Sequence, residues 1–354
     1  MKDVFIIGGG LAGVAMAEQL RRRDLSFLLF DDGSQRASWV AGGLYNPVIL
    51  KRISAAWGAE DGMDRLSSYH DIETRIGAKV VHPLPVLRRF ASVEEQNNWF
   101  AAMDRPVLSR FLSPKLRNDT FEGLSAPYGY GQVLETGYVN TATLLDGYRT
   151  TLKDAGALAA DTFAYGDLIV SEGHVSYKGT EARHIVFAEG FGLQHNPYFS
   201  WLPLDGTKGE LLVVKAPKLG LTKAIVKANV FVLPLGDDLF KIGATYAPWD
   251  KTPEPTESGR NRLEEEARAL LTCDFEVVSH LAGIRPTVKD RRPLIGTHPA
   301  LSNIHVLNGL GSRGVMLAPW MAECLSNHIF DQSPIPAECD IRRFMPLYSS
   351  DALS

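Results

Sequence analysis

Cysteine is scarce: Cys273, Cys324 and Cys339 are the only three in 354 residues. Three thiols make no disulfide framework, and their spacing matches no metal or dithiol motif, so a reducing, cytoplasmic setting is expected. The nine histidines show no ligand spacing either, and no metal is expected. No apolar run approaches the ~18 residues that a membrane-spanning helix needs. The short run after Lys2 stops at Gly8-Gly9-Gly10, and Glu18 and Arg21 to Arg23 follow, which argues against a signal peptide. Neither sign of charge dominates: a net charge of −4 gives no general attraction to nucleic acid or anionic membrane. Internal repeats and low-complexity linkers are missing as well. What remains is a chain of ordinary globular composition, long enough for two domains or one with large insertions.

The richest signal lies in the first thirty residues. Val4 to Ile7 is a short continuous apolar run, as expected of a parallel strand buried on both faces. Gly8-Gly9-Gly10-Leu11-Ala12-Gly13 follows, and Leu11 to Arg23 has a helical apolar stripe. Phe27 to Phe30 is a second strand, ending at Asp31 and Asp32. The order strand, glycine turn, helix, strand, acid is that of a dinucleotide site. Gly8 permits the tight turn, Gly10 lets the backbone approach a pyrophosphate, and Gly13 lets the helix pack closely on the strands. The helix N-terminus, with the N–H groups of Leu11 and Ala12, faces the phosphates. Asp31, 18 residues past Gly13, is placed to accept hydrogen bonds from a ribose.

The glycine turn alone does not separate FAD from a nicotinamide. Near the other end, Ile304 to Leu307 reads as a strand and is followed by Asn308-Gly309-Leu310-Gly311-Ser312-Arg313-Gly314. A helix from about Met316 to Ile329 comes next, with Pro319 in its first turn. This second glycine-rich helix start either makes a plain turn or offers donors to the negative charge at N1 and C2=O of a reduced flavin.

Four segments, in order along nearly the whole chain, resemble the D-amino-acid-oxidase-like FAD oxidoreductases, which include glycine, sarcosine and D-amino-acid oxidases. They are the Ile6 to Leu20 motif ending at Asp31; Ser38 to Pro47, with Ala41-Gly42-Gly43-Leu44; Ile185 to Gly190, with Ala188; and Gly283-Ile284-Arg285-Pro286-Thr287 with Arg291 to Gly296 and the late glycine loop. Within the family, Leu310 to Gly314 followed by Ala318-Pro319 is particularly similar to the oxidoreductase half of bifunctional tRNA 5-methylaminomethyl-2-thiouridine biosynthesis enzymes. The dinucleotide motif begins at residue 4 with no methyltransferase-like segment ahead of it, so a tRNA-borne substrate is the second reading, not the favoured one. Absence of a second GxGxxG mid-chain, and of CxxxxC or CxxC anywhere, argues against a separate nicotinamide-binding domain or a disulfide reductase.

The resemblance implies an α/β fold: a Rossmann-like FAD-binding domain of the D-amino-acid-oxidase (GR2) type with a mostly antiparallel β-sheet substrate domain. Residues 1–80, 141–199 and 283–354 are assigned to the first, and 81–140 and 200–282 to the second. Thr141 to Asp154 and Glu257 to Leu271 read as helices; Leu211 to Val214, Val230 to Leu235 and Phe240 to Ala244 as strands. The implied reaction is oxidation of the C–N bond of a small amine or amino acid, a glycine derivative or D-amino acid, by hydride transfer to flavin N5. The acceptor of the electrons is then oxygen or a quinone. Removal of a carboxymethyl group from a tRNA wobble uridine is the alternative.

The implied site residues follow the same segments. Arg285 clamps the substrate carboxylate and touches the flavin, unless it is a structural arginine. Lys241 either sits over the flavin to assist oxygen or is a solvated strand lysine. Tyr246, with Thr245 on the same strand, either enters the pocket or packs as a half-buried aromatic. Cofactor contacts are expected from Gly8, Gly10, Leu11, Ala12, Gly13, Asp31, Asp32, Ser38, Ala41, Gly42, Gly43, Leu44, Ala188 and Gly190, with Leu168 beside the adenine. Gly311, Ser312, Arg313, Gly314, Val315 and Met316 complete the set. Cys324 falls inside the late helix, so FAD is expected to be non-covalent. Lys208-Gly209-Glu210 reads as structural, and Arg291 and Arg292 as surface or interdomain charges.

Overall fold

A computed structural model describes residues 1–348. The first apolar run forms the strand Lys2–Ile7, centred in a mixed sheet between Phe27–Phe30 and Thr180–Phe187, both parallel to it. Leu158–Ala159 extends the sheet beyond Phe27–Phe30, and Ile304–Asn308 pairs in parallel with Thr180–Phe187. The central strands are buried on both faces (Val4, Phe5 and Ile6 have no exposure), which is why they read as continuous apolar runs. The helices Leu11–Arg22, Thr141–Asp154 and Gly314–Asp331 pack together within the largest hydrophobic core. An antiparallel meander, Leu168–Ser171, His174–Tyr177 and Thr180–Phe187, completes one side.

A second sheet of eight strands has the order Glu276–Val288, Leu204–Lys215, Leu239–Gly243, Phe231–Gly236, Ile225–Lys227, Val86–Arg89, Tyr130–Val133, Leu112–Arg117. Every neighbouring pair is antiparallel except Ile225–Lys227 with Val86–Arg89. A small sheet of Leu44–Tyr45, Gly137–Val139 and Val81–Pro83 lies between the segments. This is the expected α/β fold with a mostly antiparallel second sheet.

Three details differ from the sequence reading. The strand Glu276–Val288 runs unbroken through position 283, pairing along Leu204–Lys215 as far as Val288. The strand expected over Phe240 to Ala244 ends at Gly243, so Thr245 and Tyr246 lie beyond it. There Thr245 binds Glu210 twice: its N–H donates to the Glu210 carbonyl at 3.1 Å, and its hydroxyl accepts the Glu210 N–H at 2.8 Å. The side chain thus takes over a ladder bond. Finally, the late helix is Gly314–Asp331, which puts Pro319 past the first turn. A proline there cannot donate to the carbonyl four residues back. That carbonyl, of Val315, instead accepts the buried Tyr69 hydroxyl at 2.8 Å.

Candidate active site

The glycine turn is built to exclude side chains. Gly8 has φ +106°, and a Cβ there would lie 2.5 Å from the Ala188 carbonyl oxygen. At Gly13 a Cβ would lie 1.9 Å from the Gly8 carbonyl oxygen, so the helix rests directly on the turn. Gly10 caps the helix with no side-chain acceptor, and its first turn contains no acid. The Ser38 hydroxyl approaches from the helix Ala37–Val40, accepting the Leu11 N–H at 3.3 Å. A helix start with tight glycine packing, no acid in its first turn and the Ser38 hydroxyl as its one side-chain acceptor among the described residues fits a dinucleotide pyrophosphate. The residues present therefore suit FAD.

Asp31, the residue expected at a ribose, is not free. Its carboxylate is ion-paired with Arg149, whose guanidinium also donates to the Asp31 carbonyl at 3.0 Å. A small cleft lined by Gly9, Asp31, Trp39, Tyr148 and Arg149 opens beside the pair. The sequence reading missed Arg149; it lies 118 residues from Asp31, and nothing local marks it. Asp32 accepts the Ser34 N–H and the Thr162 hydroxyl, both at 2.9 Å. Burial raises its pKa and these bonds lower it, with a net shift downward. Leu168 is buried in a cluster with Ile7 and Phe30, the residues just before Gly8 and Asp31. Gly190 has φ +58°, and its carbonyl accepts from the Asn308 side chain at 3.0 Å.

Between Ala188 and Gly190 lies Glu189, also missed. Burial raises its carboxyl to about 7, against the lowering effect of donors Tyr165 and Asn196 at 2.5 and 2.8 Å. Its Cα is 3.2 Å from where a Gly8 Cβ would be, so it adjoins the turn.

The second glycine loop meets the first. A Cβ on Gly314 would lie 3.3 Å from Leu11 Cδ1, which places the two helix starts side by side. Here too the cap is without a side-chain acceptor and the first turn without acid. Val315 and Met316 turn their side chains into the core. Their backbone N–H groups remain in the first helical turn, where no intrahelical partner exists. Gly311 faces the strand of Arg285: a Cβ there would be 3.7 Å from Thr287 Cγ2 and 4.0 Å from the Pro286 carbonyl. Arg313 is half-buried; burial, then the charges of Arg291 and Arg292, lower its pKa.

Lys241 reaches the small-residue segment, donating to the Ala41 carbonyl at 3.1 Å, so it is not a solvated strand lysine. Burial lowers its pKa from the ordinary value. Gly42 and Gly43 keep that segment close: a Cβ would lie 2.7 Å from Phe231 at the first and 2.0 Å from the Val139 carbonyl at the second. Leu44 continues it as a half-buried strand residue paired with Tyr138.

Arg285 lies across Gly209, where a Cβ would sit 1.9 Å from the guanidinium. Its contacts are long bonds to the carbonyls of Lys208 at 3.4 Å and Thr245 at 3.3 Å. Among the described residues it has no ion-pair partner, while burial pulls its pKa down. Tyr246 is close enough to oppose that shift and is 54% exposed, so it is not a packing aromatic. Lys208 and Glu210, by contrast, are structural. Fully buried Lys208 binds Asp250 at 2.8 Å and Thr252 at 2.9 Å, and Glu210 accepts the Thr256 N–H at 2.9 Å.

Comparisons with known proteins identify the family. The FAD dependent oxidoreductase (DAO) profile matches residues 3–328. Glycine oxidase of Bacillus subtilis is 27% identical over 222 residues, covering 58% of this chain and 60% of that protein. The tRNA 5-methylaminomethyl-2-thiouridine biosynthesis bifunctional protein of Marinobacter nauticus is 25% identical over 353 residues, covering 93% of this chain and 56% of that protein. The chain thus spans little more than half the length of these relatives. The crystal structure of glycine oxidase from Geobacillus kaustophilus superposes with a TM-score of 0.76 at 22% identity, over 97% of each chain. No helix among the described residues is long and apolar enough to cross a membrane. On the profile match across nearly its whole length, the chain belongs to the DAO family of FAD dependent oxidoreductases.

Proposed function

We propose that this protein oxidises the C–N bond of a small carboxylated amine, a glycine derivative or D-amino acid. Bound FAD supplies the two-electron acceptor, with oxygen or a quinone taking the electrons onward. The observation that carries the reading is Arg285, a half-buried guanidinium that among the described residues is held only by two backbone carbonyls. A partly desolvated cation without a counter-ion is costly, and a carboxylate in fork geometry relieves that cost. The clamp fixes one end of the substrate, leaving the amine to lie between it and the two glycine loops, so the chain's work is positioning. Tyr246 flanks the clamp, and Lys241 holds a partly desolvated positive charge at the Ala41 segment. With Cys324 inside the helix Gly314–Asp331, FAD is held without a covalent bond, and the free cysteines suit a cytoplasmic setting.

Glycine oxidase relatives support the small-molecule reading. The Marinobacter match, over 93% of the chain, favours as second reading a carboxymethyl group carried on tRNA. Anaerobic mixing of Arg285→Gln and Arg285→Lys with the best amine tests the clamp. Substrate-driven bleaching should weaken at least 100-fold in the glutamine variant, the scale of a lost charge-assisted pair of about 3 kcal/mol, and less in the lysine variant. Unchanged bleaching in the glutamine variant removes the assignment.

A further inference from the structure

The first glycine turn has two walls, and one helix stands behind both. A Cβ on Gly9 would lie 2.8 Å from Asp31 Cγ and Oδ2, and one on Gly10 would lie 3.1 Å from Ser38 Oγ. Asp31 thus flanks the turn on one side and Ser38 on the other. The helix Thr141–Asp154 reaches each wall from a single face, because Asp146 and Arg149 are three residues apart. Asp146 accepts the indole N–H of Trp39, next to Ser38, at 2.8 Å. Arg149 is ion-paired with Asp31 Oδ2 and donates to the Asp31 carbonyl at 3.0 Å.

Arg149 grips Asp31 from one side only. Its contacts are with Oδ2 and the main chain, which leaves Oδ1 without a protein partner among the described residues. The neighbouring acid differs: Asp32 Oδ1 accepts the Ser34 N–H and Oδ2 the Thr162 hydroxyl. The Asp31 side chain is only 9% exposed, and Arg149 is its one ion-pair partner among the described residues. A carboxylate so deeply placed, beside a turn that suits two phosphates, is repelled by them and costly to desolvate unless a cation cancels its charge. A guanidinium bound at two points also fixes the carboxylate's orientation, which a lysine ammonium does not.

We propose that Arg149 is a positioning residue for the cofactor. By holding Oδ2 and the carbonyl of Asp31, it turns Oδ1 toward the hydroxyls of the adenosine ribose and cancels the carboxylate charge beside the pyrophosphate. This rests on the reading of Asp31 as the ribose acid. The effect of Arg149 on FAD passes through Asp31, so it falls on the ribose hydroxyls and not on the flavin.

The test titrates FAD and its 2′,3′-dideoxyadenosine analogue, which lacks both ribose hydroxyls, into the apoprotein while flavin fluorescence is followed. The parent should bind FAD roughly tenfold or more tightly than the analogue, the scale of hydrogen bonds to a charged acceptor. In Arg149→Gln that ratio should fall to within about twofold, because nothing then holds the carboxylate in place. In Arg149→Lys, which keeps the charge but not the two-point grip, the ratio should lie between these values. A general loosening of the fold weakens both ligands alike and leaves the ratio as it was. A parent-like ratio in either variant therefore makes Arg149 a brace for its helix and overturns the proposal. A parent that does not distinguish the two ligands removes the ribose reading of Asp31, and the role of Arg149 goes with it. Melting temperatures report folding, and Arg149→Lys carries the test if the glutamine variant does not fold.

Discussion

Gly13→Ala puts the cofactor cradle to a quantitative test. The new Cβ would lie 1.9 Å from the Gly8 carbonyl oxygen, whereas ordinary contact begins at 3.4 Å, so helix and turn must part by about 1.5 Å (3.4 − 1.9). Overpacking of this kind costs about 1–3 kcal/mol. Replacing a helical glycine by alanine returns about 1 kcal/mol, which leaves the FAD-free protein about 0–2 kcal/mol less stable. The effect on FAD is larger. A displacement of 1.5 Å breaks hydrogen bonds from the helix start to phosphate, each worth about 1.5–3 kcal/mol when charge-assisted. Losing two weakens FAD binding by at least about 100-fold. FAD titration of the apoprotein, followed by flavin fluorescence, measures this, and urea unfolding measures the stability cost. Gly166→Ala is the control, because open space surrounds Gly166 and its φ is not positive. An alanine at 13 that binds FAD within threefold of the parent would refute the cradle as described.

Two further outcomes follow from buried titratable groups. His298 is 3% exposed, and burial depresses its pKa from 6.5 to about 4. The unfolded chain then binds the proton first, so its contribution, about 3 kcal/mol at neutral pH, is lost as pH falls from 6.5 through 4. His305, hydrogen-bonded to His184 at 3.0 Å and pushed down by burial, adds to the same trend. Urea unfolding at pH 7 and pH 5 should show the loss, and His298→Phe should flatten it; a parent stability independent of pH over that range would contradict the assignment. Lys241→Met should slow reoxidation of the flavin by oxygen by about 10- to 1,000-fold while leaving anaerobic bleaching within a few-fold, read by stopped-flow absorbance. Equal slowing of both phases would mean that Lys241 serves folding or binding instead.

Local signals in the sequence carried much of the fold. The strand before Gly8, the helix after it and the helix Thr141–Asp154 were legible because burial on both faces, or on one stripe, leaves a pattern within a few residues. The late helix was legible in existence but not in phase, since the Tyr69 hydroxyl that allows Pro319 past its first turn comes from 246 residues upstream. The same limit hid Arg149 behind Asp31 and the stop of a strand at Gly243, where Thr245 turns back to Glu210. Motifs therefore marked the glycine turns and helix starts that suit a dinucleotide, while partners supplied across the fold were invisible. Arg285 was singled out by resemblance; its want of a counter-ion became visible only in three dimensions.

The most direct test of the central claim is the visible spectrum of the purified protein, followed anaerobically as glycine, sarcosine, D-amino acids and N-carboxymethyl amines are added in turn. A bound-flavin spectrum that bleaches with at least one carboxylated amine is the expected result. Flavin that bleaches with none of them would contradict the small-molecule reading, and a protein that takes up no FAD when supplied with it would contradict the account at its base.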